Sequence, residues 1–197
     1  MMLNLERKEA KALVISILVV SFAFSLQKFS FIFLIQTLIL VSISLFTRVL
    51  TQVFAARSEG IDTKYDLWPL GLVFTAVSAL LSNGLAVIAV PLTSISKERE
   101  TERWKKSQTE MYAKDVALGP VAGVLGNLGL AGLFLILLET FGGAVFRLGA
   151  MINFWFAISQ LIPYPPFEGR KIIVWDVIFW SMLVLAPAVG LIGLLLV

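Results

Sequence analysis

The chemistry open to this chain is narrowed first by the residue types that it lacks. The 197-residue sequence contains no histidine and no cysteine, so the commonest metal ligand, the commonest general base and the thiolate nucleophile are excluded. The acid in the most unusual setting is Glu168, within the stretch QLIPYPPFEG at residues 160–169. Three prolines end a helix there and impose an extended backbone. A carboxylate on that backbone near the membrane boundary requires an explanation, and a solvated acid in a helix-breaking loop is the simplest one.

The elements that must position such residues are apolar helices. The chain is 58% hydrophobic and 15% charged, whereas soluble domains carry about 25% charged residues. Its uncharged runs cover residues 12–27, 29–47, 67–96, 116–138, 148–167 and 177–197. Most of these runs match the ~20 residues that a helix needs to cross a bilayer. This pattern predicts a single all-α polytopic membrane domain over residues 1–197, surrounded by membrane lipids. The basic pI of about 9.3 marks cytoplasmic loops rather than a nucleic-acid partner.

The distribution of Lys and Arg predicts how the chain is threaded. If residues 67–96 crossed the membrane once, most basic residues would lie outside the cell, against the positive-inside rule. Ser82-Asn83-Gly84 interrupts this run with turn-forming residues, so a re-entrant segment at about residues 67–92 fits better. We therefore predict five transmembrane helices plus this segment in the plasma membrane, with a cytoplasmic N terminus and an outside C terminus. The predicted spans cover about residues 12–27, 29–56, 116–138, 145–163 and 173–197.

Small residues recur along the predicted span 116–138 and gather toward one side of a helix, because they are spaced three or four positions apart. They are Gly119, Gly123, Gly126, Gly129 and Gly132. This spacing predicts a face on which a neighbouring helix packs closely.

The Pro-rich stretch resembles a motif of the site-2 protease (peptidase M50) family. In that family the motif reads Asn-Leu-Leu-Pro-x-Pro-Pro-Leu-Asp-Gly, and its Asp is the third zinc ligand. Here Gln160 stands at the Asn position, Glu168-Gly169 replaces Asp-Gly, and the prolines match at Pro163, Pro165 and Pro166.

Further segments extend this resemblance to about residues 12–180. Ala55-Ala56-Arg57, then Gly60, and then LWPLG at residues 67–71 are similar to the segment that follows the zinc-binding helix in archaeal-type members. Residues 82–91 resemble a membrane-embedded segment of the family. Gly119-Pro120 resembles the family's Gly-Pro-x-x-Asn, with Gly123 at the Asn position. The resemblance implies the core of an intramembrane zinc metalloprotease.

The resemblance also implies that the catalytic residues have been replaced. Aligning Ala56-Arg57 and Gly60 without gaps places the family's His-Glu-x-x-His on Arg48, Val49, Leu50, Thr51 and Gln52. A zinc hydrolase needs imidazole ligands and a carboxylate base, and none of these residues supplies either. The degenerate positions are therefore Arg48, Val49, Gln52 and Glu168, and we predict no catalytic residue, no metal and no other cofactor. The implied function is that of a pseudoprotease, a structural or regulatory subunit that binds a transmembrane segment of another membrane protein.

Arg48 needs a partner if it lies inside the membrane. It precedes Arg57 by nine helical residues, or about 13 Å, and an unpaired charge at that depth costs on the order of 2.5–3.5 kcal/mol. Because the resemblance brings the first and third metal-ligand positions together, we expect an Arg48–Glu168 ion pair with Gln52 hydrogen-bonded nearby. Arg48 reaching alone to the cytoplasm is the alternative. The predicted structural or partner-groove residues are Arg48, Gln52, Gly119, Pro120, Gln160, Pro163, Pro165, Pro166, Glu168 and Gly169.

Two other functions fit parts of the sequence. An active intramembrane metalloprotease with atypical ligands would recruit its acids from Asp62, Asp66, Asp115, Glu139, Glu168 and Asp176, most of which fall at predicted membrane edges, where charges are usually solvated. A small transporter or channel would need a polar path through Gln36, Arg48, Gln52, Asn127 and Asn153, but the short chain shows no internal repeat. Tightly bound zinc would favour the first alternative, and ion flux the second.

Overall fold

The computed structural model describes residues 6–98 and 113–196, which form apolar helices and one small sheet. The chain begins with α1 (Arg7–Ser25) and α2 (Phe31–Ser58), followed by β1 (Ile61–Leu67), α3 (Pro69–Leu81) and β2 (Leu92–Glu98). The second half contains α4 (Ala113–Phe141), α5 (Ala144–Leu161), the short α6 (Gly169–Trp175) and α7 (Val177–Leu196).

Four helices within the described ranges are long and apolar enough to cross a bilayer: α2, α4 from Val116 onward, α5 and α7. Large apolar side chains such as Ile39, Phe54 and Leu185 are exposed on their outer faces, which suits lipid rather than water. This is the arrangement of a multi-pass membrane protein. The fifth predicted span, residues 12–27, belongs to α1, which is not among the four because charged residues fill its first turn.

The all-α prediction is wrong at one place, because β1 and β2 form a two-stranded antiparallel sheet. Leu67 pairs with Leu92 at one end of the sheet and Ile61 with Glu98 at the other. The two partners are separated along the chain by the whole of α3. Pairing at this separation is decided by packing and not by local periodicity, so the sequence pattern did not reveal it.

The segment between the strands leaves the sheet and returns to it. Its outward arm, α3, has 13 residues, about 20 Å at 1.5 Å per residue, which is shorter than the ~30 Å hydrocarbon core. Asn83 and Gly84 have positive φ angles of 51° and 77° and turn the chain. Residues 85–91 then return without regular secondary structure, and the Trp68 N–H donates to the Pro91 carbonyl oxygen at 2.9 Å. Both ends of the segment therefore lie at the base of the sheet.

The last predicted span begins four residues later than expected, because residues 169–175 form the separate helix α6. Asp176 causes the break: its Oδ1 accepts from the backbone N–H groups of Ile178 and Phe179, both at 2.9 Å. A side chain that satisfies these donors fixes the start of a helix, so α7 begins at Val177.

Two apolar clusters hold the helices together. The larger one joins α1, α2 and α5 through fully buried side chains such as Val20, Leu45 and Phe156. The smaller one joins α4, α5, α6 and α7 around Val124 and Ile172. Three polar residues that the sequence singled out, Arg48 and Gln52 on α2 and Gln160 on α5, are also buried.

Candidate functional site

A buried polar centre lies where α2, β2 and the loop before α6 meet. Arg48 and Gln52 are one turn apart on α2, so their side chains project from the same face. Glu168 is the N-cap residue of α6, and Ser94 lies on β2. The exposed fractions of Arg48, Gln52 and Glu168 are 3%, 0% and 2%. Charged groups so deeply buried are stable only when they bind one another.

The expected ion pair is present at this centre. Arg48 Nη2 lies 3.2 Å from Glu168 Oε1 and 3.5 Å from the Leu92 carbonyl oxygen. Gln52 Nε2 donates to the same Glu168 oxygen at 2.9 Å and to Ser94 Oγ at 2.9 Å. One carboxylate oxygen therefore accepts from both Arg48 and Gln52. The alternative, in which Arg48 reaches alone to the cytoplasm, is wrong.

The charges around Glu168 keep this carboxylate ionised. Burial raises the pKa of Glu168, but the Arg48 guanidinium, the Lys171 ammonium and hydrogen bonds from Ser94 and Gln52 together hold its pKa below the ordinary value. Burial lowers the pKa of Lys171, which Glu168 opposes. Glu168 therefore carries its negative charge beside two cations, Arg48 and Lys171.

The loop that carries Glu168 is held from two sides. The Phe167 ring packs edge-on against Trp68, with 5.1 Å between the ring centroids. A Cβ atom at Gly169 would collide with the Leu161 carbonyl oxygen, so only glycine lets the loop approach α5 this closely. Of the three prolines that the sequence singled out in this loop, Pro166 faces the buried centre, while Pro163 and Pro165 are exposed.

The glycine face of α4 packs against α2 beside the polar centre. A Cβ atom at Gly119 would lie 3.2 Å from Ala56 Cβ, and one at Gly126 would lie 2.7 Å from Thr51 Oγ1. Pro120, next to Gly119, is also buried. The predicted close packing is confirmed for this part of the helix. It does not extend to Gly129 and Gly132, where an added Cβ atom would meet nothing within 4 Å.

Gly123 gives the polar centre its space. A Cβ atom at this position would lie 3.0 Å from Gln160 Oε1 and 3.6 Å from both Arg48 Cγ and Gln52 Cβ. The position that resembles the family's Asn therefore has no side chain at the point where the long Arg48 side chain passes. The space left by the absent side chain of Gly123 on α4 is filled by the long side chain of Arg48 on α2.

A cavity of about 10 Å³ adjoins the ion pair and is lined by Arg48, Gln160 and Glu168 among others. It has about the volume that one water molecule needs. Gln160 Nε2 donates to the Phe156 carbonyl oxygen at 3.1 Å. Within the described part of the chain, Gln160 Oε1, Glu168 Oε2 and Arg48 Nε have no hydrogen-bond partner, so the cavity has two acceptors and one donor around it.

This set of residues does not fit a zinc ion. One carboxylate and the amides of Gln52 and Gln160 lie at the centre, and the Arg48 guanidinium already binds the carboxylate as its cation. Val49, which the site-2 protease resemblance aligns with a general base, is fully buried in the larger apolar cluster. Across residues 6–98 and 113–196, no three His, Cys, Asp or Glu side chains lie close enough to hold a metal ion. No hydrolytic step through a metal can be assigned to these side chains.

The remaining acids considered for an enzyme are dispersed. Asp62 and Asp66 each lie within ion-pair distance of a basic side chain, at 3.8 and 2.9 Å. Asp176 caps α7, and Glu139 is exposed near the end of α4. The side chain of Asp115 lies outside the described part of the structure.

Arg48 and Gln52 of the supposed polar path belong to the buried centre, whereas Gln36, Asn127 and Asn153 do not line the cavity beside it. Asn153 Nδ2 donates to the Gly149 carbonyl oxygen within α5, at 2.8 Å. Asn127 is fully buried, and Gln36 is half-buried near the start of α2. The cavity beside Arg48 is lined by none of these three residues.

Two residues that sequence reasoning missed belong to this region, and both are on the unpredicted sheet. Ser94 accepts a hydrogen bond from Gln52. Tyr65 on β1 is 2% exposed, and burial followed by the negative charge of Glu168 raises its pKa. Ile61 and Tyr65 are buried on the same face of β1. Only this weak strand pattern could have pointed to Ser94 and Tyr65.

Comparison with known proteins gives a similar chain of nearly the same extent. The sequence is 30% identical over 189 residues to a protein of Methanocaldococcus jannaschii named "putative zinc metalloprotease", and the alignment covers 93% of this chain and 92% of that protein. No family model matches the sequence. No solved structure matches it either.

Proposed function

The chain belongs to the same family as the putative zinc metalloprotease of Methanocaldococcus jannaschii, and from this premise we propose that it is a non-catalytic, site-2 protease-like member. In this proposal it is a subunit or regulator that holds a transmembrane segment of another membrane protein without cutting it. The observation that carries the proposal is the buried Arg48–Glu168 ion pair of 3.2 Å. In the site-2 protease resemblance, these two positions supply zinc ligands.

The ion pair links two elements of the core, as a bound metal ion would link them in an enzyme. It joins α2 to the loop before α6, two elements that are 120 residues apart along the chain. Removing one partner of such a pair typically costs about 3–5 kcal/mol, because the other charge stays buried. The centre is therefore a clasp that keeps the helices of the protease-like core in register, and its cation is a guanidinium, which offers a hydrolytic water no coordination position.

The client is expected to bind near the Pro-rich loop. Tyr164 in this loop is 72% exposed. The return arm, residues 85–91, has no regular secondary structure, and near its end Val90 lines the same cavity as Pro166 of the loop. Backbone groups outside helices can pair with an extended peptide. An unwound part of a partner's transmembrane segment fits this requirement.

The proposal includes the threading of the chain. Helix α1, whose 19 residues extend about 28 Å, serves as a fifth span, and α3 with its return arm is re-entrant, because both ends of that segment lie at the base of the sheet. The basic residues then place the N terminus in the cytoplasm and the C terminus outside. Arg48 lies about 13 Å from the cytoplasmic end of α2, which sets the depth of the clasp.

The test is site-specific photo-crosslinking in the native membrane. A benzophenone side chain at position 164 is expected to capture a membrane protein, while the same group at position 141 serves as the matched control. Tyr164 and Phe141 are 72% and 73% exposed, and Phe141 ends α4 at a distance from the loop. The same tagged sample is assayed for bound metal.

A partner captured intact at position 164 and not at 141, in a sample without stoichiometric zinc, supports the proposal. One zinc ion per chain, or a captured partner that is cleaved only when this chain is present, contradicts it and favours an active protease. Ion flux through liposomes that contain the purified chain would favour a channel instead.

A second experiment tests whether these positions form the former metal site. The fourfold variant Arg48→His, Val49→Glu, Gln52→His and Glu168→Asp restores the family's ligand set. We expect it to bind one zinc ion, and the wild type none. In the matched control, Thr51→His replaces Gln52→His, which moves the second imidazole to a different helix face and should abolish zinc binding. Equal zinc binding by both variants would contradict the assignment.

A further inference from the structure

A second concave site lies far from the buried ion pair, near the start of α5. It is a groove of about 480 Å³ between α5 and α7 on one side and the α1–α2 turn with the tip of the re-entrant segment on the other. Its walls are mostly apolar and include Leu85, Met151, Trp155 and Leu191. Arg147 also lines the groove, 13 residues before Gln160 on the same helix, or about 20 Å away along its axis.

Arg147 is a cation without a carboxylate partner in the described ranges. The ion pairs between described residues involve Lys8, Arg48, Arg57 and Lys64, and Arg147 is not among them. One guanidinium N–H, at Nη2, donates to the Leu194 carbonyl oxygen in the last turn of α7. A guanidinium has five N–H donors in a planar fork that matches a phosphate, so most of them remain for an anion at the mouth of the groove.

We propose that this groove binds one phosphate-bearing membrane lipid, with the phosphate on Arg147 and a hydrocarbon chain between α5 and α7. Charge and shape together select this occupant. The apolar walls accept a hydrocarbon chain, and the cation at the mouth binds a phosphate. The inference does not depend on what the Arg48–Glu168 centre does.

The test counts bound lipids on the purified full-length chain by native mass spectrometry. The protein is exchanged into detergent that contains equal amounts of phosphatidylglycerol and an uncharged galactosyl diacylglycerol with the same acyl chains. We expect the wild type to retain one phosphatidylglycerol with a preference of about fivefold, the factor that one basic residue near an anionic lipid provides.

Two variants and one control separate the effect of the Arg147 charge from that of the apolar groove. Arg147→Gln removes the cation and should abolish the preference, while Lys28→Gln, which removes an exposed cation predicted on the same side of the membrane, should leave it unchanged. Ala144→Trp adds bulk at an exposed position that lines the groove, and it should reduce retention of both lipids while the thermal unfolding temperature stays near that of the wild type.

Three results would overturn the proposal. Equal retention of both lipids by the wild type would mean that only non-specific surrounding lipid binds. An unchanged preference in Arg147→Gln would remove the assigned role of the cation. A membrane protein that co-purifies with the wild type and is lost in Ala144→Trp would mean that a partner chain occupies this face.

Discussion

Replacing Glu168 with glutamine tests the buried clasp most directly. The substitution keeps the shape of the side chain but removes the negative charge that lies 3.2 Å from Arg48 Nη2. The other acceptor of that nitrogen, the Leu92 carbonyl oxygen, is 3.5 Å away, which is long for a hydrogen bond. Arg48 would then be 3% exposed without a counter-charge.

The expected loss follows from the burial of both partners. Removing one partner of a buried ion pair costs about 3–5 kcal/mol, a large share of the roughly 5–15 kcal/mol by which proteins are stable. For a chain of this length each kcal/mol moves the unfolding temperature by about 2–4 °C. Glu168→Gln should therefore lower that temperature by roughly 6–20 °C and reduce the folded yield.

The assay is thermal unfolding of the detergent-purified chain, read from size-exclusion profiles after heating. A double-mutant cycle with Arg48→Met, Glu168→Leu and the combined variant isolates the pair. The combined variant should recover most of the lost stability, because it buries no unpaired charge. Asp66→Asn removes the acid of the exposed Lys8–Asp66 pair and is the control, which should leave unfolding unchanged.

Two outcomes would refute this reasoning. An unchanged unfolding temperature for Glu168→Gln would mean that Arg48 does not depend on this carboxylate. A combined variant whose loss equals the sum of the two single losses would mean that the two residues act independently, so that no clasp exists.

Three further perturbations test other parts of the same structure. Gly123→Asn should cost about 1–3 kcal/mol by overpacking, because its Cβ atom would lie 3.0 Å from a buried amide oxygen; Gly129→Ala, with nothing within 4 Å, should unfold at or slightly above the wild-type temperature. The pKa of Glu168 is lowered from 4.5, so its stabilisation is complete above about pH 4.5 and is lost as the pH falls through the lower folded-state pKa; unfolding temperatures measured against pH should drop there more in the wild type than in the Arg48→Met, Glu168→Leu variant, which keeps the other acids. Asp176→Ala removes the side chain that accepts from two N–H groups of α7 and should cost about 0.5–2 kcal/mol, seen as faster hydrogen exchange in the first turn of that helix.

The candidate site was predictable to the extent that its chemistry follows from residue types. A charge inside an apolar helix requires a partner, and this requirement together with the resemblance was enough to pair Arg48 with Glu168 and to place Gln52 beside them. The family relationship does not reveal Ser94 or Tyr65, because they reach the centre through the pairing of β1 and β2. Strand pairing between segments separated by α3 depends on contacts distant in sequence, which no local pattern encodes.

The sequence by itself determined that the chain is an apolar helical membrane protein without imidazole or thiolate chemistry, because hydropathy and residue types are local properties. It also determined the break before α6, since prolines and Gly169 act on their own backbone. Only the tertiary structure decided that Gly123 makes room for Arg48, that Trp68 supports the loop of Glu168, and that Arg147 lines an apolar groove. Each of these depends on the volume left between elements far apart along the chain, and packing fixes such volumes only when the whole chain is folded.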